Sequence, residues 1–462
     1  MIACLALFQI SCYKDKTTED TYSVTDIKIE LANIEKTVNI DKNEKISLSP
    51  IVTQSKGNLD LTYEWQVDYK VVSTEKDFTY SGTDLGSYVV RLKVSNADGS
   101  AFKSFVLNVN SPYEEGLMVL GENQQGLGTL SFLRKLTPAE KEAGKVEGFA
   151  TNLFELNNPG KSIGKGPSDL VKRGRQLYIS SADDGKISVV NGKTLELEAV
   201  VTAPEFPNFK PFKLNVPDNT STSSIILNKD GKLFTLASQD LLILKNTNLT
   251  DNVPNADLAM KTAVVGTMNF THNYFWDKDG SKLWNFWYIG SNSLDVLANQ
   301  ELISFFPTTG AVYTLTRDKT DPSKLTKTVF GEFIQVYFQK PIDLKEKREF
   351  TNPAPTLTEN SITLVNQKFV KLVYANGGSI YNWFYTGIDI PSTPFISIPI
   401  PGVVTSLASN PAGTELYVGV YNSAASGLKG SVLVYNIDNG ALINKYEGVS
   451  DKPVKLFYKT KI

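Results

Sequence analysis

Histidine is almost absent: His272 is the only one in 462 residues. That excludes zinc sites built on two or more histidines and leaves a single candidate base for a Ser-His-Asp arrangement. It sits in the aromatic run "FTHNYFW", where a structural or exposed role outweighs catalysis. Cysteine is nearly as scarce. Cys4 and Cys12 both fall in the first 12 residues, so the rest of the chain has no disulfide framework and no thiol-based metal site. No stretch approaches the roughly 20 apolar residues that a bilayer-crossing helix needs. Long single-sign runs are missing too. The 47 basic and 49 acidic residues leave a formal charge of −2, which argues against an electrostatic nucleic-acid binder. Neither a G-x-S-x-G elbow nor a G-x-x-x-x-G-K-[ST] loop occurs, so serine-hydrolase and P-loop chemistry have no recognisable seat. No catalytic residue, metal site or cofactor is assigned.

What is present begins with "MIACLALFQISCYKDK". The apolar part is too short to span a bilayer but suits the apolar region of a secretory signal. The residues around Ser11-Cys12 resemble a bacterial lipoprotein signal, in which the cysteine becomes the acylated N-terminus; Gln9 and the lack of a preceding Lys or Arg depart from that pattern. The resemblance implies a signal peptide over 1–11, lipidation at Cys12, a tether over 12–23 and membrane contact through the lipid anchor only. The competing reading is a buried N-terminal strand with an incidental cysteine. More than one acyl chain makes such an anchor durable, at about 0.8 kcal/mol per buried methylene.

The length favours two or more domains. Apolar residues at 41% and charged residues at 21% are ordinary globular values, and 24 Phe, 20 Tyr and 5 Trp lean toward β structure. In "LTYEWQVD", Tyr63, Trp65 and Val67 point one way and Glu64, Gln66 and Asp68 the other, the alternation of a half-buried strand. "GSYVVRLKVSNADGSAFKSFVLNV" reads as a hairpin around Asn96-Ala97-Asp98-Gly99. About seven such strands over 24–111 predict an immunoglobulin-like sandwich with Trp65 in its core. The Tyr63-Glu64-Trp65 strand and the Gly86 to Gly99 hairpin resemble the PKD family, whose members serve as spacers or interaction modules. The family's F-G-D-G turn is replaced here by Gln66-Val67-Asp68-Tyr69.

From 112 to 462 a phrase recurs: a Gly, Asp or Asn turn, then an aliphatic residue beside an aromatic. It ends at Tyr178, Phe234, Trp284, Tyr313, Tyr381, Tyr417 and Tyr435. Repetition of this kind in an all-β chain predicts a β-propeller; at about 40 to 50 residues per blade, seven or eight blades fit. The marks are unevenly spaced. "SADDGKIS" reads as a hairpin turn, Asp277 and Asp279 as turn formers, and "KEKREFTNPAPTLTENS" as a long inter-strand loop. Four of the five tryptophans lie in "YFWDKDGSKLWNFWY" and "IYNWFY". Trp276, Trp284, Trp287, Tyr381 and Trp383 are therefore candidate ligand-binding rings, with packing between blades the competing reading for each.

The order of "SCYKDK", the PKD-like segment, "YEEGLMVLGENQQGLGTLSFL" and the propeller-like remainder resembles the PKD-like surface lipoproteins of Bacteroidetes. That resemblance implies an outer-membrane protein facing the extracellular surface, accessory to a SusC/SusD-type nutrient transporter and binding glycan or peptide without catalysis. Two alternatives stay open: a propeller-fold glycoside hydrolase or polysaccharide lyase with a carboxylate or tyrosine site, and a structural subunit that docks on the SusC/SusD pair without touching substrate.

Overall fold

The computed structural model describes residues 24–461 apart from 33, 35, 217–223, 238–239, 245–262, 268–269, 278–280, 288–289, 295–296, 309–310 and 332–343; at 139, 263–267, 270–273, 285–287 and 290–294 it describes the backbone alone. Cys4, Cys12 and the tether lie outside the described residues. The chain divides into two compact units, Met1–Pro112 and Tyr113–Ile462. Among the described residues no helix is long and apolar enough to cross a membrane.

The first unit is all β. A five-stranded sheet runs in the order Thr37–Asp41, Gly99–Asn110, Gly86–Asn96, Thr62–Val67, Lys70–Ser73, and two strand pairs, Ile27–Glu30 with Ile51–Gln54 and Lys45–Leu48 with Phe78–Ser81, complete it. Nine strands among the described residues thus stand where about seven were expected. Four of them, between Ile27 and Gln54, are only four or five residues long, too short for alternation to register. The predicted inward set Val90, Leu92, Val94, Phe105, Leu107 and Val109 is buried. Trp65 is fully buried, stacked on Phe78 at 4.5 Å, and its indole donates to the Lys76 carbonyl at 3.2 Å. The hairpin turns at Ala97-Asp98, where the Asn96 side chain accepts from the N–H groups of Asp98 and Gly99 at 2.9 and 3.0 Å. The departure from the family turn has a visible form. Asp68 and Tyr69 both take positive φ, 45° and 65°, and close a two-residue hairpin from Val67 to Lys70, the left-handed pairing that matches strand twist.

The second unit contains seven four-stranded antiparallel sheets among its described residues. Six are consecutive in sequence, spanning Pro167–Thr202, Pro211–Leu244, Ala263–Leu294, Gln300–Thr351, Ile362–Ser397 and Val403–Ser450. The remaining sheet is composite. Its strands Phe149–Ala150, Gly128–Arg134 and Gly116–Glu122 come from the start of the unit, and Lys452–Lys459 from its end. This is a β-propeller closed by pairing its two termini, which leaves no unpaired first or last strand.

The recurring aromatic marks take their meaning from this topology. Each lies on one of the two middle strands of a sheet: Tyr178, Tyr313 and Tyr417 on second strands, Phe234, Trp284, Tyr381 and Tyr435 on third strands. The last sheet carries two of them. Uneven spacing follows, since the marks fall on second strands in some sheets and on third strands in others. "SADDGKIS" forms the hairpin between Gln176–Ser181 and Lys186–Asn191; Asp277 stands opposite Lys282 where Phe270–Asp277 pairs with Lys282–Trp287, and Asp279 lies outside the described residues. "KEKREFTNPAPTLTENS" needs correction: its first half is the edge strand Leu344–Thr351. Its alternating Lys and Glu are a charge pattern that protects a sheet edge from further pairing.

Candidate functional site

The tryptophan-rich segments lie on middle strands of two sheets, and burial decides what their rings can touch. Trp276 is 2% exposed among Leu283, Leu302, Phe305 and Phe330; Trp383 is 1% exposed among Phe306, Leu372, Tyr374 and Tyr385. Both are interior packing, and neither offers a face to a ligand. Trp284 is half-buried against Ile225, Leu227 and Phe275, and Tyr381 is half-buried, stacked on Tyr374 at 5.2 Å. The side chains of Trp287 and His272 lie outside the described residues, as does Cys12. Among the described side chains, two part-covered rings on different sheets, Trp284 and Tyr381, remain of the expected aromatic platform.

Two other clefts lie between the composite sheet and the Val403–Ser450 sheet. The first, with a volume of about 80 Å³, is lined by the carboxylates Glu147 and Glu415 and the phenols Tyr417, Tyr446 and Tyr458. Tyr417 donates to Glu415 at 2.5 Å and Tyr458 to Glu115 at 3.2 Å. Burial, reinforced by the neighbouring carboxylates, pushes all three phenols above their usual range. They are held protonated, the opposite of what a tyrosinate base near neutral pH requires. Lys141 from the short helix Pro138–Glu142 pairs with Glu147 at 2.9 Å. That helix starts in a capping box: Glu140 accepts from the Thr137 N–H at 2.9 Å, and the Thr137 hydroxyl accepts from the Glu140 N–H at 3.3 Å.

The second cleft, of about 350 Å³, lies at the other end of the same strands. The loop Asn123–Gln125 supplies three amides, the segment before and within Leu153–Asn157 supplies Thr151, Asn152 and Glu155, and the outer strand of the last sheet ends there in Ser450-Asp451. Its wall includes Thr129 and Ser131, the latter donating to the Val449 carbonyl at 2.6 Å. The Asn123 side-chain oxygen Oδ1 accepts from the N–H groups of Gln125 and Leu127 at 3.0 and 2.9 Å, which fixes the orientation of its amide. These residues were missed from sequence because they come from segments about 300 positions apart, and Asn, Gln, Ser and Thr ordinarily read as turn formers.

A third cluster stitches the first strands of neighbouring sheets. Asp169 on Pro167–Arg173 pairs with Lys455 at 3.0 Å and accepts from the Leu214 N–H at 3.0 Å. Burial pushes its carboxyl up, but Lys455 and Lys213 outweigh this and hold it below the usual range. Among the described residues no group of three or more His, Cys, Asp or Glu is placed to hold a metal ion.

Residues 12–167 match the PKD-like family. The match begins at Cys12 and runs past the first unit through three strands of the composite sheet. No curated protein matches the chain. Among solved structures, a quinonprotein alcohol dehydrogenase-like protein from Bacteroides thetaiotaomicron is 16% identical, with 93% of this chain and 99% of that one covered and a TM-score of 0.52. The β-propeller domain of Myceliophteria thermophila Cps50 (Swd1) is 10% identical over 63% of this chain and 90% of that one, TM-score 0.42. Citrobacter koseri AztD in its apo form is 10% identical over 87% and 100%, TM-score 0.39. The first likeness extends over nearly the whole of both chains and bears on the fold alone.

Proposed function

We propose that this chain is a non-enzymatic surface lipoprotein of the outer membrane, accessory to a SusC/SusD-type nutrient uptake system. Acyl chains on Cys12 anchor it, the PKD-like sandwich serves as spacer, and the propeller binds a glycan or peptide or docks on the transporter. The observation that carries this reading is the PKD-like match, which starts at the cysteine where the lipoprotein-like signal ends.

The test is to express an epitope-tagged chain in its native host, isolate outer membranes and identify what co-purifies. The reading predicts a SusC/SusD-type pair in stoichiometric amounts and removal of the tag by protease added to intact cells. A chain found in the cytosol, or one that co-purifies with no outer-membrane partner, overturns it. Incubating the purified protein with oligosaccharides and analysing products tests the absence of catalysis; released shorter products contradict it.

A further inference from the structure

Residues 137–148 lie between the strands Gly128–Arg134 and Phe149–Ala150 of the composite sheet, and burial does little to hold them there. Among their described side chains none is buried, and Val146 is 90% exposed. A segment packed on a protein surface is ordinarily held by the apolar side chains it covers. Here the side chains that are partly covered are two carboxylates, Glu140 and Glu147.

Glu140 ties the segment to the sheet: it accepts from Arg134 Nη2, at the end of the neighbouring strand, at 2.6 Å. Its second partner, Lys145 at 3.2 Å, belongs to the segment itself. Glu147 accepts from the Leu136 N–H at 3.4 Å and from Lys141 at 2.9 Å, the latter again within the segment. The N–H groups of Lys141, Gly144 and Lys145 donate to the carbonyls of Thr137, Lys141 and Glu140 at 3.1, 3.0 and 3.0 Å. These residues are thus folded on themselves and fastened to the propeller by few bonds. Leu136 is buried just before them, and at Gly148 an added Cβ would meet nothing within 4 Å, which leaves room for a swing at that end.

What the segment covers is the tyrosine cleft. Lys141 and Glu147 form part of its wall, opposite Leu117, Val434, Tyr417 and Tyr458 of the sheets. Behind burial, the largest cause in each case, the Glu147 charge adds to the rise of the Tyr417, Tyr446 and Tyr458 phenols, so this carboxylate stands within reach of all three. With the segment in place the cleft has a volume of about 80 Å³, well below the roughly 300–1,000 Å³ of small-molecule sites.

We propose that residues 137–148 are a lid on the tyrosine cleft, latched by the Arg134–Glu140 ion pair, and that a ligand of this cleft enters through the open form. The Arg134 and Glu140 side chains keep 30% and 19% of their surface in solvent. Ion pairs of that kind hold weakly and weaken further in salt, so the lid responds to ionic strength. This goes beyond the binding function proposed above and does not depend on it.

The experiment is nitration of the purified full chain with tetranitromethane at low salt and in about 1 M sodium chloride, read site by site by peptide mass spectrometry. Three variants are compared with the parent: Glu140→Gln, which removes the charge and keeps a residue suited to the capping box, Arg134→Gln, and the two together. Tyr69, 67% exposed, is the open reference, and Tyr374, fully buried in another sheet, the closed one. The expected result is nitration of Tyr446 and Tyr458 about two- to fivefold faster relative to Tyr69 in either single variant at low salt, the equivalent of one exposed ion pair. High salt raises the parent by a similar factor, the double variant goes no further than the singles, and Tyr374 stays unreactive. Unchanged rates in the variants, a rise in salt that neither variant reproduces, additive effects of the two changes, or a rise shared by Tyr374 overturns the proposal.

Discussion

The Lys459 ammonium donates to the carbonyl of Tyr113 at 2.6 Å, linking the last strand of the propeller to its first residue across 346 positions of sequence. A second bond, to the Glu114 carbonyl at 2.8 Å, completes the clasp, and the lysine is fully buried. Closure of the ring therefore rests on a charged group as well as on the strand pairing beside it. Lys459→Met removes both of these bonds and should destabilise the chain by about 1–3 kcal/mol in urea unfolding. The pH dependence has a definite sign. Burial lowers this lysine from its ordinary 10.5 to about 8, so between those values the unfolded state binds more protons and stability rises with pH. The gap between parent and Lys459→Met should widen as pH increases from 8 toward 10.5; a constant gap contradicts this.

Lys327 performs a similar task between two neighbouring sheets. It is fully buried, donates to the carbonyls of Tyr385 and Thr386 at 3.3 and 2.9 Å, and lies 3.1 Å from Glu346. Removing its charge takes the ammonium from both carbonyls and from the part-exposed Glu346, and should cost about 1–3 kcal/mol. Lys327→Met measured by denaturant midpoint checks this, and a change under about 1 kcal/mol shows that water replaces the ammonium.

In the sandwich, Trp65→Ala should cost about 3–5 kcal/mol, because it empties the space against Phe78 and frees the Lys76 carbonyl. Trp65→Phe keeps the stack and should cost clearly less. Equal losses for both would place the stability in the indole hydrogen bond instead of the packed ring.

The tyrosine cleft gives the alkaline counterpart of the Lys459 effect. Burial and then the Glu415 hydrogen bond raise the Tyr417 phenol above its ordinary 10.0. A folded-state pKa above the unfolded one gives stability that is present below about pH 10 and is lost as pH climbs beyond it. Glu415→Gln should bring the phenolate titration back toward the ordinary value and reduce that alkaline loss. An unchanged absorbance titration would show that burial alone sets the shift.

Much of the fold was legible because its signals are local. Strand alternation gave the buried face of Gly86–Asn96, and aliphatic-aromatic marks after turns gave the propeller. The chain's closure was not legible, since nothing in "KPVKLFYK" says that its partner is Gly116–Glu122. The candidate site was legible only in part. Aromatic enrichment located Trp276 and Trp383, but alternation cannot say whether a ring meets a neighbouring sheet or solvent, and both proved buried. Segments contributing Asn123, Asn152 and Ser450 carry no shared pattern; only the folded ring brings them to one cavity.

The central claim is that Cys12 carries the lipid that fixes this propeller protein to the outer membrane, and the most direct measurement is mass spectrometry of the mature chain from its native host. The account predicts an N-terminus at Cys12 bearing acyl chains through its sulfur. A free thiol at Cys12, or a mature chain that retains the residues before it, would contradict the claim.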